Sequence, residues 1–348
     1  MTVSPSPEAD RNGPRYARQA VLEVIGREGQ RKLADGAVLI VGCGALGSVQ
    51  AELLARAGVG RILLVDRDVL ELHNLQRQLL FDERDVRERM PKASAAARRL
   101  RGVNSGITIE EAIADVTAAN IEQLLQKADL ALDGTDNIET RYLLNDAAVK
   151  AGKPWVYGGV LGTGGTVMAV RPGDGPCLRC VFPEPPGAGE LPTCETQGVL
   201  NTAVAWVAAL QATEAIRILV GNPIDGHFLH ALDVWRGAAT PVKVDREEDC
   251  VCCGRRRFEF LESERGSSST AFCGRNAVQV TPERKIAPDF TRLREALSPL
   301  GSVAVNGLLL EFAVDDHRLV VFPDGRVLVM GTTDTARARS LVARYIGS

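Results

Sequence analysis

The chain has 348 residues, of which 45% are hydrophobic and 24% charged, with a formal net charge of −3 at pH 7. That length holds one large domain plus a small one, and the apolar share excludes a disordered chain. The charge balance leaves no electrostatic footprint for nucleic acid or an anionic membrane.

Residues 1–14 are polar and proline-containing, lack the apolar core of a signal peptide, and read as a loose tail on a cytoplasmic protein. From 15 to 34, Tyr16, Val21, Leu22, Ile25 and Leu33 suggest a helix that docks on a core, with Arg15 and Arg18 ahead of it. Ala37–Val41 is a run of branched apolar residues and reads as a buried strand. Gly42, Gly44 and Gly47 follow, then a helical pattern of Leu46, Val49, Leu53, Leu54 and Ala57, then a second apolar run ending in Asp66. Strand, glycine turn, helix, strand and acid make a nucleotide-binding βαβ unit. Its helix start offers unpaired N–H groups to a phosphate, and Asp66 stands where a carboxylate holds ribose hydroxyls. The glycines alone fit an NAD-binding dehydrogenase equally well.

Asp68, Asn74, Arg77 and Gln78 cluster just beyond a strand end, where ligands of open sheets bind. Lys92 follows Pro91 and starts an alanine-rich helix. A lysine there opposes the helix dipole, a conflict that eases if it serves an anion. Residues 107–113 and 129–133 read as strands. Asp133 and Asp136 follow at a strand end, and Thr135, Asp136 and Asn137 are all plausible helix caps. Asp136 alternatively suits Mg²⁺, which needs only one or two protein oxygens beside phosphates. Residues 155–170 read as two strands linked by glycines.

Eight cysteines point to metal ligands or reactive thiols rather than disulfides. Cys177 and Cys180 form one C-x-x-C; Cys250 and Cys253 form another, with Cys252 between them. Two such pairs fit a closed four-cysteine zinc site, with a redox dithiol as the competing reading. Either Cys252 or Cys253 could be the fourth ligand; the spacing favours Cys253. Cys194 follows a Pro/Gly-rich stretch and has no apolar cover, which leaves it reachable or simply inert. Residues 198–220 read as a long apolar helix, buried or at a dimer interface; no apolar run reaches the roughly 18–20 residues of a membrane span. Strands are expected near 227–234 and 239–244. Residues 259–271 read as a Ser/Gly-rich linker. Beyond it lies a small domain over 272–348: a strand near 275–281, a helix near 289–298, strands broken at Asn306-Gly307, Asp315-Asp316 and Asp324-Gly325, and a last helix near 334–345. Cys273 has no assignable role. The fold class expected is α/β, a Rossmann-like mixed sheet flanked by helices, plus this small α+β domain.

RYARQ, VGCGALGS, VDRDVLELHNLQRQ, PKA, DGTDN, PCLRC, TCETQGV and a closing C-x-x-C-G occur in the order seen in the MoeB/ThiF/HesA adenylyltransferases. The chain resembles that family over residues 12–258, and the resemblance displaces the dehydrogenase reading. It implies ATP-dependent activation of the C-terminal Gly-Gly carboxylate of a ubiquitin-like sulfur carrier, for molybdopterin, thiamine, cysteine or thio-tRNA synthesis. By the same resemblance, Gly42, Gly44 and Gly47 cradle ATP, Asp66 holds the ribose, and Asn74, Arg77 and Lys92 neutralise phosphates. Asp136 would bind Mg²⁺, and Arg18 would reach into the partner site of a homodimer. Cys177, Cys180, Cys250 and Cys253 match the zinc ligands. Ala45 departs from the family, which often has a further glycine there. Cys194 matches a cysteine that forms an acyl link with the carrier in some members and is dispensable in others. Residues 272–348 do not match the rhodanese extension of some relatives. Recruiting the carrier or a sulfur donor (a cysteine desulfurase or rhodanese) and stabilising a dimer both stay open for them. Two other functions stay open: a tRNA-modifying dehydratase of the same superfamily, and a non-catalytic module that binds a ubiquitin-like tail.

Overall fold

Strands buried on both faces, with near-continuous Val/Ile/Leu runs, favour a parallel sheet covered by helices. In the computed structural model, which describes residues 13–186, 197–222, 226–262, 271–272, 276–281 and 288–346, the first sheet follows this rule. Its strands are β1 (Ala37–Val41), β2 (Arg61–Asp66), β3 (Thr108–Ile113), β4 (Leu130–Asp133), β5 (Trp155–Leu161), β6 (Gly164–Val170), β7 (Phe228–Asp233) and β8 (Ala238–Lys243). Their order is β3-β2-β1-β4-β5-β6-β7-β8. The first five run parallel; β5 to β8 pair antiparallel. Val41 sits opposite Val65 on one side and Asp133 on the other. The chain leaves β1 for β2 and β3, then returns to β4 on the opposite side, so the strand order reverses beside the end of β1. Ligands of such sheets bind at that point.

The chain divides into two compact units, Met1–Val86 with Lys92–Arg265, and Arg87–Pro91 with Gly266–Ser348. In the first, the expected single helix over 15–34 is two helices, Gly13–Ala20 and Gly26–Asp35. Gly26 has φ of 63°, a left-handed value that ends the first turn of chain without side-chain cost. Tyr16 and Leu33 are buried as expected, but Val21 is 82% exposed and Leu22 is also exposed. Tyr16 packs where Gly58 leaves room, since a Cβ there would lie 2.5 Å from the ring.

Helix Asn201–Val220 is long and apolar enough by length and composition to cross a membrane, which corrects the reading that no run reaches that length. Its Ala203, Val204, Val207, Ala208, Gln211 and Ala215 are buried, and it packs on β5, β6 and helix Ala45–Ala57. Phe258, Phe260 and Leu261 are buried in the same cluster as Tyr142 and Trp155, so this core continues past residue 258.

The second unit carries a six-stranded antiparallel sheet: β9 (Ala271–Phe272), β10 (Ala277–Val280), β11 (Ser302–Val305), β12 (Leu310–Val314), β13 (His317–Val321) and β14 (Val327–Met330), ordered β11-β12-β13-β14-β10-β9. Gly307 and Gly325 take positive φ, as does Asp315 at 49°, at the three turn signals of the sequence. Helices Phe290–Leu297 and Thr335–Tyr345 start at Asp289 and Asp334, whose carboxylates accept from the first-turn N–H groups. Leu297, Ala338 and Val342 close the core on Val278, Phe312, Leu319, Val321 and Val329.

Candidate nucleotide and metal sites

Gly42 and Gly47 hold the turn after β1 together. Gly42 has φ of 91°, and a Cβ on Gly47 would lie 1.8 Å from the Gly42 carbonyl oxygen. Gly134, just past β4, is also pressed close, its would-be Cβ 2.4 Å from that same oxygen. These three are glycines because the backbones touch. Gly44 is different: a Cβ there would meet nothing nearer than Gln78 Nε2 at 3.8 Å and Gly134 O at 3.9 Å. The protein does not need that space for its own packing. Gly44 precedes helix Ala45–Ala57 with no side chain capping it, so the helix start faces this open side.

Gln78 is 3% exposed, and its Oε1 has no hydrogen-bond partner among the described residues. A buried, unpaired acceptor beside a space lined by glycine backbone fits a polar ligand. Asp66 is buried at the end of β2. Its Oδ2 accepts from the Cys43 N–H at 2.6 Å and its Oδ1 from the Asp68 N–H at 2.7 Å. Burial pushes its carboxyl above the ordinary range, against the pull of Lys92. Lys92, 3% exposed, donates from Nζ to Asp68 Oδ2 and from its backbone N–H to Asp68 O, both at 2.9 Å. The ion pair offsets the dipole conflict of a lysine in the first turn of helix Lys92–Val103.

The other expected residues are placed less directly. Asn74 is buried, with Oδ1 accepting from the Glu71 N–H at 3.0 Å and Nδ2 3.0 Å from His73 Nε2, so its amide closes a short 3₁₀ turn. Arg77 is half-buried and donates to the His73 carbonyl at 3.0 Å. Asp136 is exposed, two residues past Gly134; the cap of helix Ile138–Ala151 is Asn137, which accepts from the Thr140 N–H. Arg18 is exposed on helix Gly13–Ala20. Cys194 and Cys273 lie outside the described residues.

One residue the sequence did not single out is Arg141. Its Nε donates to Asp133 Oδ2 at 2.7 Å and its Nη2 to the carbonyls of Thr135 and Gly158, both at 3.1 Å. It therefore braces the loop that leads to Asp136. Asp133 also accepts from the Thr135 N–H, and burial pushes its carboxyl up although Arg141 opposes this. The available signal was an arginine eight residues past a strand-end aspartate, which many surface helices also show.

At the far end of the unit, the Sγ atoms of Cys177, Cys180, Cys250 and Cys253 all lie within 4.8 Å of one another. Cys177 Sγ is 3.6 Å from Cys250 Sγ, and Cys180 Sγ is 3.4 Å from Cys253 Sγ. Four convergent sulfurs could hold a metal ion. Cys252 is fully buried but turned aside, its Sγ accepting from Asn145 Nδ2 at 3.2 Å. Asn145 Oδ1 in turn accepts from the Leu178 N–H, which ties the two cysteine loops together.

The ThiF family matches residues 16–252. This chain belongs to the ThiF family. Among its curated ThiF-type relatives, the sulfur carrier protein ThiS adenylyltransferase of Bacillus subtilis is 41% identical over 336 residues, covering 96% of this chain and 99% of that one. That extent reaches well into the small unit, beyond the resemblance legible in the motifs. The sulfur carrier protein adenylyltransferase of Thermus thermophilus is 39% identical, covering 75% of this chain and 96% of its own. Among solved structures, E. coli MccB with ATP superposes with a TM-score of 0.61 at 24% identity over 71% of this chain and 76% of that one, a likeness of fold.

Proposed function

We propose that this ThiF-family chain is an ATP-dependent adenylyltransferase acting on the C-terminal Gly-Gly carboxylate of a ubiquitin-like sulfur carrier. The observation that carries the reading is the open face over Gly44 beside the unpaired Gln78 acceptor, at the reversal point of the sheet and next to the Asp66–Asp68–Lys92 cluster. The relatives named for carrier activation add to it.

In the reaction a carrier carboxylate oxygen attacks the α-phosphorus of ATP. A P–O bond forms, the bond to the bridging oxygen breaks, and pyrophosphate leaves with the electron pair; no proton moves. Such a step needs alignment and charge stabilisation more than a base. The N–H groups around Gly44 and the start of helix Ala45–Ala57 receive phosphate oxygens. Lys92 and Arg77 neutralise phosphate charge, with Lys92 exchanging its Asp68 contact for a phosphate. Asp66 orients the ribose, and Gln78 supplies an acceptor to the nucleotide. Asp136 would hold Mg²⁺, which supplies charge neutralisation on phosphates when bound. Arg18, exposed on the N-terminal helix, serves the partner subunit's site in a homodimer. A cysteine desulfurase or rhodanese-type protein then supplies sulfur to the activated carrier.

The four cysteines would hold zinc. A tetrahedral zinc with Zn–S of about 2.3 Å has sulfur edges of about 3.8 Å, close to the 3.4 and 3.6 Å separations here. Its role is to staple the 250–253 loop to 177–180.

The test is ATP–pyrophosphate exchange with each Gly-Gly-ending carrier of the source organism. Exchange with one carrier is expected, and Asp136→Ala is expected to abolish it while leaving carrier binding intact. Full exchange by Asp136→Ala would remove the metal role, and silence with every carrier would remove the reading.

A further inference from the structure

Residues Arg87–Pro91 group with the small unit, not with the chain on either side of them. Asn306, at the turn between β11 and β12, accounts for part of this. Its Oδ1 accepts from the N–H groups of Leu308 at 3.0 Å and Leu309 at 3.1 Å, which sets the turn. Its Nδ2 donates to the carbonyl oxygens of Glu88 and Arg89, both at 3.1 Å. Glu311, within β12, pairs with Arg89. It is only 4% exposed, between the fully buried Leu310 and Phe312. Burial pushes its carboxyl above the ordinary value, with Arg89 and Arg318 opposing. A charged residue buried in a strand costs stability unless it is held by a partner. Arg89 itself has φ of 51°. A residue with a long side chain persists in that left-handed region only where its surroundings fix it.

Chain order supplies the consequence. The residue after Pro91 is Lys92, the first of its helix, whose side chain reaches Asp68. Resting on the adenylyltransferase reading, we infer that the small unit is a clamp on Arg87–Pro91, the segment that leads into Lys92, and that Asn306 and Glu311 are positioning residues for nucleotide binding. They hold Glu88 and Arg89, four and three residues ahead of the phosphate lysine, so the chain entering that lysine is ordered before ATP arrives. Ordering a rotamer-rich side chain in advance removes that cost from binding. The competing account is that these contacts only stabilise the small unit.

The full-length protein separates the two. Asn306→Asp keeps the acceptor that sets the turn, removes the donor, and places a carboxylate against two carbonyls. Arg89→Gly removes the ion pair and relieves the left-handed strain, and keeps the test alive if the first variant folds poorly. Two quantities are read: the Kd of MgATP by calorimetry, and amide exchange over 85–97 by mass spectrometry. The clamp predicts faster exchange over 87–92 and a Kd raised about five- to tenfold in each variant, the cost of re-ordering one or two long side chains. The Asp66→Asn variant, which leaves the clamp untouched, should weaken MgATP without changing that exchange. Faster exchange with a Kd within about twofold of wild type, or unchanged exchange, overturns the clamp. Wild-type MgATP binding without pyrophosphate exchange on any carrier would instead sink the proposed reaction alone. The clamp would still be decided by the Kd values.

Discussion

Replacing Gly44 with alanine separates what the glycine turn does for the fold from what it does for a nucleotide. The new Cβ would lie 3.8 Å from Gln78 Nε2 and 3.9 Å from Gly134 O, ordinary contact distances, and φ at this position is negative, −77°. Alanine also restricts the unfolded chain, a gain of about 0.4–1 kcal/mol where the backbone permits it. Net stability should therefore stay within about 1 kcal/mol of wild type. A methyl forced into a phosphate contact is an overpacking error of about 1–3 kcal/mol. At about 1.4 kcal/mol per tenfold, MgATP affinity should fall roughly 5- to 150-fold. Gly47→Ala is the control, because its Cβ would lie 1.8 Å from a backbone oxygen with no flexible atom to yield. A loss above about 4 kcal/mol, or no folded protein, is expected there. Urea unfolding gives the first quantity and calorimetric titration with MgATP the second. Wild-type affinity in a folded Gly44→Ala protein would refute the cradle over Gly44.

The cysteine cluster predicts that Cys253→Ala loses bound zinc, whereas Cys252→Ala keeps it and loses the buried thiol's contacts with Asn145 and Asp146, about 1–3 kcal/mol; elemental analysis of metal per chain decides. Arg141→Met should cost about 3–5 kcal/mol near neutral pH by leaving the buried Asp133 without its partner. The pH dependence follows from the sign of the Asp133 shift. Its folded pKa lies above the unfolded value, so its contribution is fullest at acid pH and is lost as pH rises through the folded pKa. Removing Arg141 raises that pKa further, so the variant's deficit should be larger at alkaline than at mildly acid pH. A deficit that does not change with pH would mean Asp133 is not the group left stranded.

Much of the nucleotide half was legible because its signals are local. A run of branched residues from Val38 to Val41, a glycine turn and a helix period are each written within a few positions, and backbone sterics act over the same range. The turn pairs at 306–307 and 324–325 marked the hairpins of the small unit for the same reason. The C-x-x-C spacing proposed four convergent sulfurs, since i and i+3 sit on one side of a tight loop. Local pattern misjudged 15–34, where apolar spacing ran on through a chain that turns at Gly26 and leaves Val21 exposed. Only the tertiary structure decided which thiol turns away, because Cys252 is held by Asn145, 107 residues earlier. It also decided that Lys92 meets Asp68, that Arg141 braces the loop to Asp136, and that Arg87–Pro91 lodges with strands more than 200 residues onward. Polar pairs of this kind leave no period in the sequence. Their distance and direction are set by how strands and helices pack, while composition and spacing report only what each residue meets within a turn or two of its own chain.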